Sequence, residues 1–226
     1  MVQGAGAVAL IGGTGELGSA IASRLARAGV PVLIGSRDAA RAATAALSLT
    51  TQSGSKIGSG SNAEVAAQAE VVIVTVPFAS QETTLREIAA GVAGKIVIDT
   101  TVPLVPPKVM RVQLPPEGSA AVRAQKLLGD GVRVVSAFHN VAAHKLALES
   151  PVDCDVLVFG DDKAAREVAI RLVEACGLRG LHAGVLANSA AAEALTSILI
   201  FLNKNYAVDG AGLRITGAMT PPAAAG

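Results

Sequence analysis

The residues with the clearest chemistry are glycines. Gly13-Thr14-Gly15-Glu16-Leu17-Gly18 form a G-x-G-x-x-G directly behind the apolar run from Ala7 to Ile11 and ahead of a helix-spaced stretch. In that context the first glycine permits a tight turn, the second lets backbone approach a pyrophosphate, and the third lets helix pack on strand. The helix N-terminus then offers free N–H groups and the positive end of its dipole to the phosphates. The next apolar run ends in Gly35-Ser36-Arg37, where a fold that binds NAD supplies Asp or Glu to the ribose hydroxyls. An acid there would repel a 2′-phosphate, whereas Arg37 offers a charged fork, Ser36 a hydroxyl and Arg41 a second cation one helical turn on. These residue types predict NADP. A third strand end, Val76-Pro77-Phe78 after Thr75, is expected to flank ribose and nicotinamide. Phe138-His139-Asn140-Val141 closes a later strand, where His139 and Asn140 are placed to hydrogen-bond a ring's polar edge, a structural histidine being the competing reading.

These groups need strands to carry them. Short β-branched runs at 7–11, 30–34, 70–76, 95–99 and 132–137 read as buried parallel strands. Between the first two, Leu17, Ile21, Leu25 and Ala28 recur at helical spacing with Gly29 as the stop, which makes a βαβ unit. The expected fold is α/β, a Rossmann-type doubly wound parallel sheet over residues 1–150 with a smaller C-terminal α/β domain over 151–226. The Pro-rich connection from Val102 to Gly118 bends near the site, since its prolines fit neither helix nor central strand. Ser53 to Ser61 reads as a loop and Thr220 to Gly226 as a frayed end. Beyond Pro151 come a strand, Asp155 to Gly160, and a helix striped with Ala165, Val168, Ala169, Leu172, Val173 and Cys176. The last long helix, Asn188 to Tyr206, lines Leu195, Ile198, Leu199, Leu202 and Tyr206 along one face, while Ile200 and Phe201 widen it. A helix apolar on most sides is expected to be buried, with a second subunit as one candidate cover.

Composition excludes several classes. In 226 residues, nineteen basic and eighteen acidic side chains leave a net charge of +1, and aromatics are 2% with no Trp. Neither a nucleic-acid surface nor a set of base-stacking platforms is present. Mean hydropathy is +0.50, yet the longest uncharged run, Met1 to Gly15, is glycine-rich and too short for a span. No membrane association is expected. Cys154 and Cys176 are too few for a disulfide framework or metal cluster, which fits a reducing, cytoplasmic home. The three histidines lack metal spacing, no G-x-S-x-G elbow occurs, and no Lys or Tyr is arranged as a carbonyl reductase's proton donor. If two ring carriers exchange a hydride, the protein chiefly has to hold the rings face to face.

Several blocks together resemble the NADPH-dependent reductases of the deazaflavin coenzyme F420. They are Gly12 to Gly18, Ile34 to Arg37, Val76 to Phe78, Asp99 to Leu104, Phe138 to Val141, Asn188-Ser189, Glu193 to Thr196, Leu202-Asn203 and Gly210 to Gly217. The resemblance spans nearly the whole chain, and it implies reversible hydride transfer between NADP(H) and the carbon that replaces N5 of a flavin. It further implies that Thr14, Ser36, Arg37 and Arg41 hold the NADP phosphates, that His139, Asn140 and Val141 line the deazaflavin, and that the enzyme is a homodimer. The segment from Val105 to Ser119 has no match in that pattern. An alternative keeps NADPH and reduces a small organic substrate or ferric chelate. Hydroxyacid and imine reductases on such a domain append a long helical region, for which the residues after 150 are too few. A nucleotide-sensing regulator is the third account, and no helix-turn-helix or basic reading surface supports it.

Overall fold

The computed structural model describes residues 6–219, so the expected frayed end at Thr220–Gly226 lies outside the described residues. Eight strands form the sheet: β1 (Val8–Ile11), β2 (Val32–Ser36), β3 (Gly58–Ser61), β4 (Val71–Val74), β5 (Ile96–Asp99), β6 (Arg133–Ser136), β7 (Asp155–Gly160) and β8 (Arg179–His182). Their spatial order is β3-β2-β1-β4-β5-β6-β7-β8. All neighbours are parallel except β6 and β7, which pair antiparallel through Val135 with Gly160 and Ser136 with Phe159. The chain therefore reverses its direction of travel across the sheet between β1 and β4, each in register with the other from Val8 and Val71 onward.

Alternation along β1 explains the two helical layers. Val8 and Leu10 face a core built with α1 (Glu16–Arg27), α2 (Ala39–Ser53) and α7 (Lys163–Ala175), while Ala9 and Ile11 face a second core built with α3 (Asn62–Gln68), α4 (Phe78–Ile88) and α5 (Ala120–Leu128). Strands fully buried on both faces are what apolar runs without polar alternation predict. The short α6 (Ala143–Ala147) packs along α1, and Arg24 of α1 donates to the carbonyls of Leu146, Leu148 and Ser150, tying the turn before β7 to the first helix.

Two expectations are corrected. The Gly/Ser-rich stretch is not all loop, because Gly58-Ser59-Gly60-Ser61 pairs with β2 as an edge strand, register Leu33 to Gly58. Backbone bonds alone make this strand, and a Cβ on Gly58 would sit 2.5 Å from Leu33 Cδ2, so the small residue is a fit to its neighbour. The last helix, α8 (Ser189–Tyr206), buries only Leu199 of the Leu195–Ile198–Leu199–Leu202–Tyr206 stripe within the chain. Its buried residues are Ser189, Ala192, Glu193, Ser197 and Leu199, and Ile198, Phe201 and Tyr206 are 46%, 48% and 69% exposed. The inner face is small and polar because it caps another helix.

Beyond α8 the chain returns to β7. Asp155 N–H donates to Leu213 at 2.7 Å, and the buried Asp155 carboxylate accepts from Ile215 N at 2.6 Å and pairs with Arg179 at 2.5 Å. The Arg179 guanidinium holds that carboxyl below its ordinary range. The sheet runs unbroken across Pro151, which lies between α6 and β7.

Candidate functional site

At the carboxyl ends of β1, β2 and β4, a cleft of about 510 Å³ is lined by Gly12, Thr14, Gly15, Ser36, Arg37, Asp38, Arg41, Asn62, Thr75, Val76, Pro77, Ser80 and Thr84. This is the crevice a doubly wound sheet opens at its reversal point. Its floor is the glycine turn. The left-handed residue there is Gly12, at φ +72°, rather than Gly13. Gly13 N–H is shared between the carbonyls of Leu10 (3.2 Å) and Gly35 (3.1 Å), which ties the turn to β2. Gly18 is the close-packing position, since a Cβ would lie 2.6 Å from Thr75 Oγ1 and 2.8 Å from Gly13 Cα. The N-cap of α1 is Gly15, with no side-chain cap, so the helix's first N–H groups remain open to an anion.

The charged wall follows from a cap. Asp38 accepts from Ala40 N (3.0 Å) and Arg41 N (3.2 Å), starting α2 so that Arg41 falls in its first turn. Ser36 Oγ accepts from Asp38 N at 3.2 Å and keeps its own proton free to donate. Arg37 and Arg41 are exposed, and among the described residues neither has a carboxylate within 4.0 Å. Two unpaired guanidinium groups beside an open helix N-terminus suit a phosphate.

The structure brings Gly13, Thr14, Gly15, Gly18, Ser36, Arg37, Arg41, Val76 and Pro77 to this cleft or its floor. It turns Glu16 to a groove shared with α6, and Leu17 joins the core edge. Phe78 lies on the other side of α4, in a second cavity with Glu82, the Pro-rich connection and Arg123, whose guanidinium stacks 5.2 Å over its ring. Sequence reasoning missed Asp38, Asn62, Ser80 and Thr84. Ser80 and Thr84 recur at helical spacing after Pro77, which would have indicated them; Asn62 gave no signal beyond following a Gly-Ser run.

The turn after β6 is of another kind. Phe138 is held at φ +67°, a strained setting for an aromatic residue. His139 is buried, shares a 2.8 Å hydrogen bond between its Nε2 and Ser136 Oγ, and is pushed down to about 4 by burial. It is therefore neutral near pH 7 and no source of protons. Asn140 donates from Nδ2 to Ala192 O (3.0 Å) and Thr196 Oγ1 (3.1 Å), while Thr196 Oγ1 donates to His139 O (3.0 Å). Val141 is buried. These bonds lock the turn against α8.

Glu193 extends the lock. It accepts from Ala120 N (2.6 Å) and Ala121 N (3.1 Å), capping α5, and burial nonetheless raises it to about 8. Gln81 joins Asp99 Oδ2 (2.5 Å) to Ala120 O (2.9 Å), and burial raises Asp99 also. Asp99 Oδ1 accepts from Thr101 N at 3.0 Å, fixing the end of β5. No group of three or more His, Cys, Asp and Glu suited to a metal ion occurs among the described residues.

The family model for coenzyme F420-dependent NADP oxidoreductases matches residues 7–103. The F420-dependent NADP reductase of Methanothermobacter marburgensis is 41% identical over 218 residues, covering 92% of this chain and 97% of that protein. The enzyme of the same name from Methanocaldococcus jannaschii is 38% identical, covering 92% and 97%. A crystal structure from Arthrobacter sp. FB24, provisionally named an F420-dependent NADP reductase, superposes with a TM-score of 0.80 at 26% identity over 95% of this chain and 100% of that one.

Proposed function

This chain belongs to the F420-dependent NADP reductases, and we propose that it exchanges a hydride reversibly between NADP(H) and coenzyme F420 by positioning the two rings rather than by moving protons. The observation that carries this is the pairing of the glycine turn with Arg37 and Arg41, which lack acidic partners among the described residues and stand where an acid would select NAD. The residues fit the nucleotide: a Cβ on Gly15 would meet only Gly12 O, at 3.4 Å, so backbone can be approached there, and the uncapped N-terminus of α1 begins at that same cleft residue. When both carriers are bound, a hydride passes between nicotinamide C4 and the deazaflavin carbon that stands in place of flavin N5. The chain's part is to bind, orient and exclude water.

Thr14, Ser36, Arg37 and Arg41 would hold the phosphates, with Val76 and Pro77 beside the nicotinamide. His139, Asn140 and Val141 would form the wall behind the deazaflavin. Neutral His139 supports that reading, because an uncharged buried turn offers shape without proton transfer. Residues 1–150 act as the NADP-binding domain, and residues 151–226 contribute to the deazaflavin site and the subunit contact.

The stretch Leu186–Tyr206 is long and apolar enough to cross a membrane by length and composition. Its buried Glu193 is committed to capping α5, and its exposed face is Ile198, Phe201 and Tyr206. A second copy of the chain is the cover we assign to that face, giving a homodimer; both cysteines are buried free thiols, in keeping with a cytoplasmic enzyme. The test is to mix purified protein, NADPH and oxidised F420 without oxygen. Loss of the deazaflavin's visible absorbance with matching NADPH oxidation is expected, and unchanged colour with NADPH bound would overturn the function.

A further inference from the structure

Asn62, the first residue of α3, lines the nucleotide cleft with Ser36, Arg37, Ser80 and Thr84, yet it is 98% buried. The helix does not need its amide, because Ser61 and Glu64 already form a reciprocal cap. Its Nδ2 donates to Glu87 Oε2 at 3.2 Å, while its Oδ1 is buried and has no hydrogen-bond partner. A buried amide oxygen without a donor is costly, and an exception of that kind asks for a partner that is absent from the free protein. The orientation is not arbitrary, since the flipped amide would set Oδ1 against the Glu87 carboxylate. With its Nδ2 held by Glu87, Asn62 has an acceptor, and only an acceptor, left for a ligand in the cleft.

We propose that Asn62 reads the adenine of bound NADP by accepting a hydrogen bond from its 6-amino group, with Glu87 as the positioning residue that fixes the amide. This rests on the cleft being the nucleotide site. A ribose hydroxyl both donates and accepts, so it would not require an amide locked in one orientation. The 6-amino group only donates, which matches the lock. A site built for one partner in this way discriminates by leaving its buried group unpaired when the partner is wrong.

The experiment compares the dissociation constants of NADPH and of its 6-oxo analogue, reduced nicotinamide hypoxanthine dinucleotide phosphate, for wild type, Asn62→Ala and Glu87→Gln. Wild type should bind NADPH about tenfold more tightly. Asn62→Ala should lose about tenfold for NADPH and little for the analogue, bringing the ratio near one. Glu87→Gln frees the amide to rotate, so the analogue should gain and the ratio shrink. Equal binding of both nucleotides by wild type, a comparison that needs no variant to fold, overturns the inference while leaving the nucleotide cleft intact. A wild-type preference that both variants retain overturns it as well. Wild type binding neither nucleotide overturns the cleft assignment itself, and the inference falls with it.

Discussion

At the carboxyl end of β2, Arg37 and Arg41 stand exposed and without carboxylate partners among the described residues, whereas at the carboxyl end of β6, His139 and Asn140 are buried and bonded within the chain. Both strand ends open toward the same side of one sheet. The first leaves its polar groups without protein partners; the second commits them to α8. Substitutions should therefore affect ligand binding at the first and stability at the second.

The largest effect belongs to the cations. Replacing Arg37 and Arg41 together by Ala should weaken NADPH binding about a hundredfold, because each removes a charge-assisted bond worth about 1.5–3 kcal/mol before solvent screening. NADH binding should change less than about threefold, and folding stability should stay within the ~0.5 kcal/mol usual for surface changes. Equal losses for both nucleotides in a fluorescence titration would erase the contrast.

Asn140→Leu is the mirror case. It removes both Nδ2 bonds that tie the turn to α8 and puts an apolar side chain in their place, at a cost of about 1–3 kcal/mol. At ~2–4 °C per kcal/mol for a chain of this size, the melting temperature should fall by several degrees while NADPH affinity stays put. A binding loss without a stability loss would move Asn140 to the nucleotide site.

The buried half also responds to pH. Glu193 is raised by burial from 4.5 to about 8, so the folded state holds a proton the unfolded chain releases, and stability falls as pH rises from 4.5 to 8. His139 is lowered from 6.5 to about 4; here the unfolded chain binds the proton, and stability falls as pH drops from 6.5 to 4. The two oppose each other between 4.5 and 6.5; from 6.5 to 8 His139 drops out and Glu193 acts with Asp99, which burial raises in the same direction, Glu193 contributing no more than ~1.4 kcal/mol per pH unit. In urea midpoints, Glu193→Gln should flatten the wild-type decline above pH 6.5. His139→Gln should make acidification from 6.5 to 4.5 stabilising. A variant profile parallel to wild type would refute the corresponding assignment.

The smallest effect concerns the outer face of α8. Ile198→Asp with Phe201→Asp should yield monomers by light scattering and leave NADPH affinity near wild type. A second copy that stays bound would place the subunit contact elsewhere.

The strands and the glycine turn were legible because their causes are local: β-branched runs, and three glycines whose spacing places backbone within a few residues. Ser36 and Arg37 could be read for the same reason. The inner face of α8 could not, since Glu193 answers to α5 N–H groups 73 and 72 residues away, and Asn140 answers to Ala192 at a separation of 52. Phe78 follows the motif in sequence but α4 carries it to the opposite wall. The edge strand β3 was hidden because it contributes no apolar side chain, only backbone.

Direct transfer between two held carriers, with no proton lent to the transferred atom, agrees with a neutral His139. It is tested most directly by supplying NADPH deuterated at both C4 positions, in ordinary water, to the enzyme with oxidised F420. Reduced F420 should carry one deuterium at the carbon that replaces flavin N5, with none released to solvent. Deuterium appearing in the water, with two protium atoms on that carbon, would contradict direct transfer between the rings.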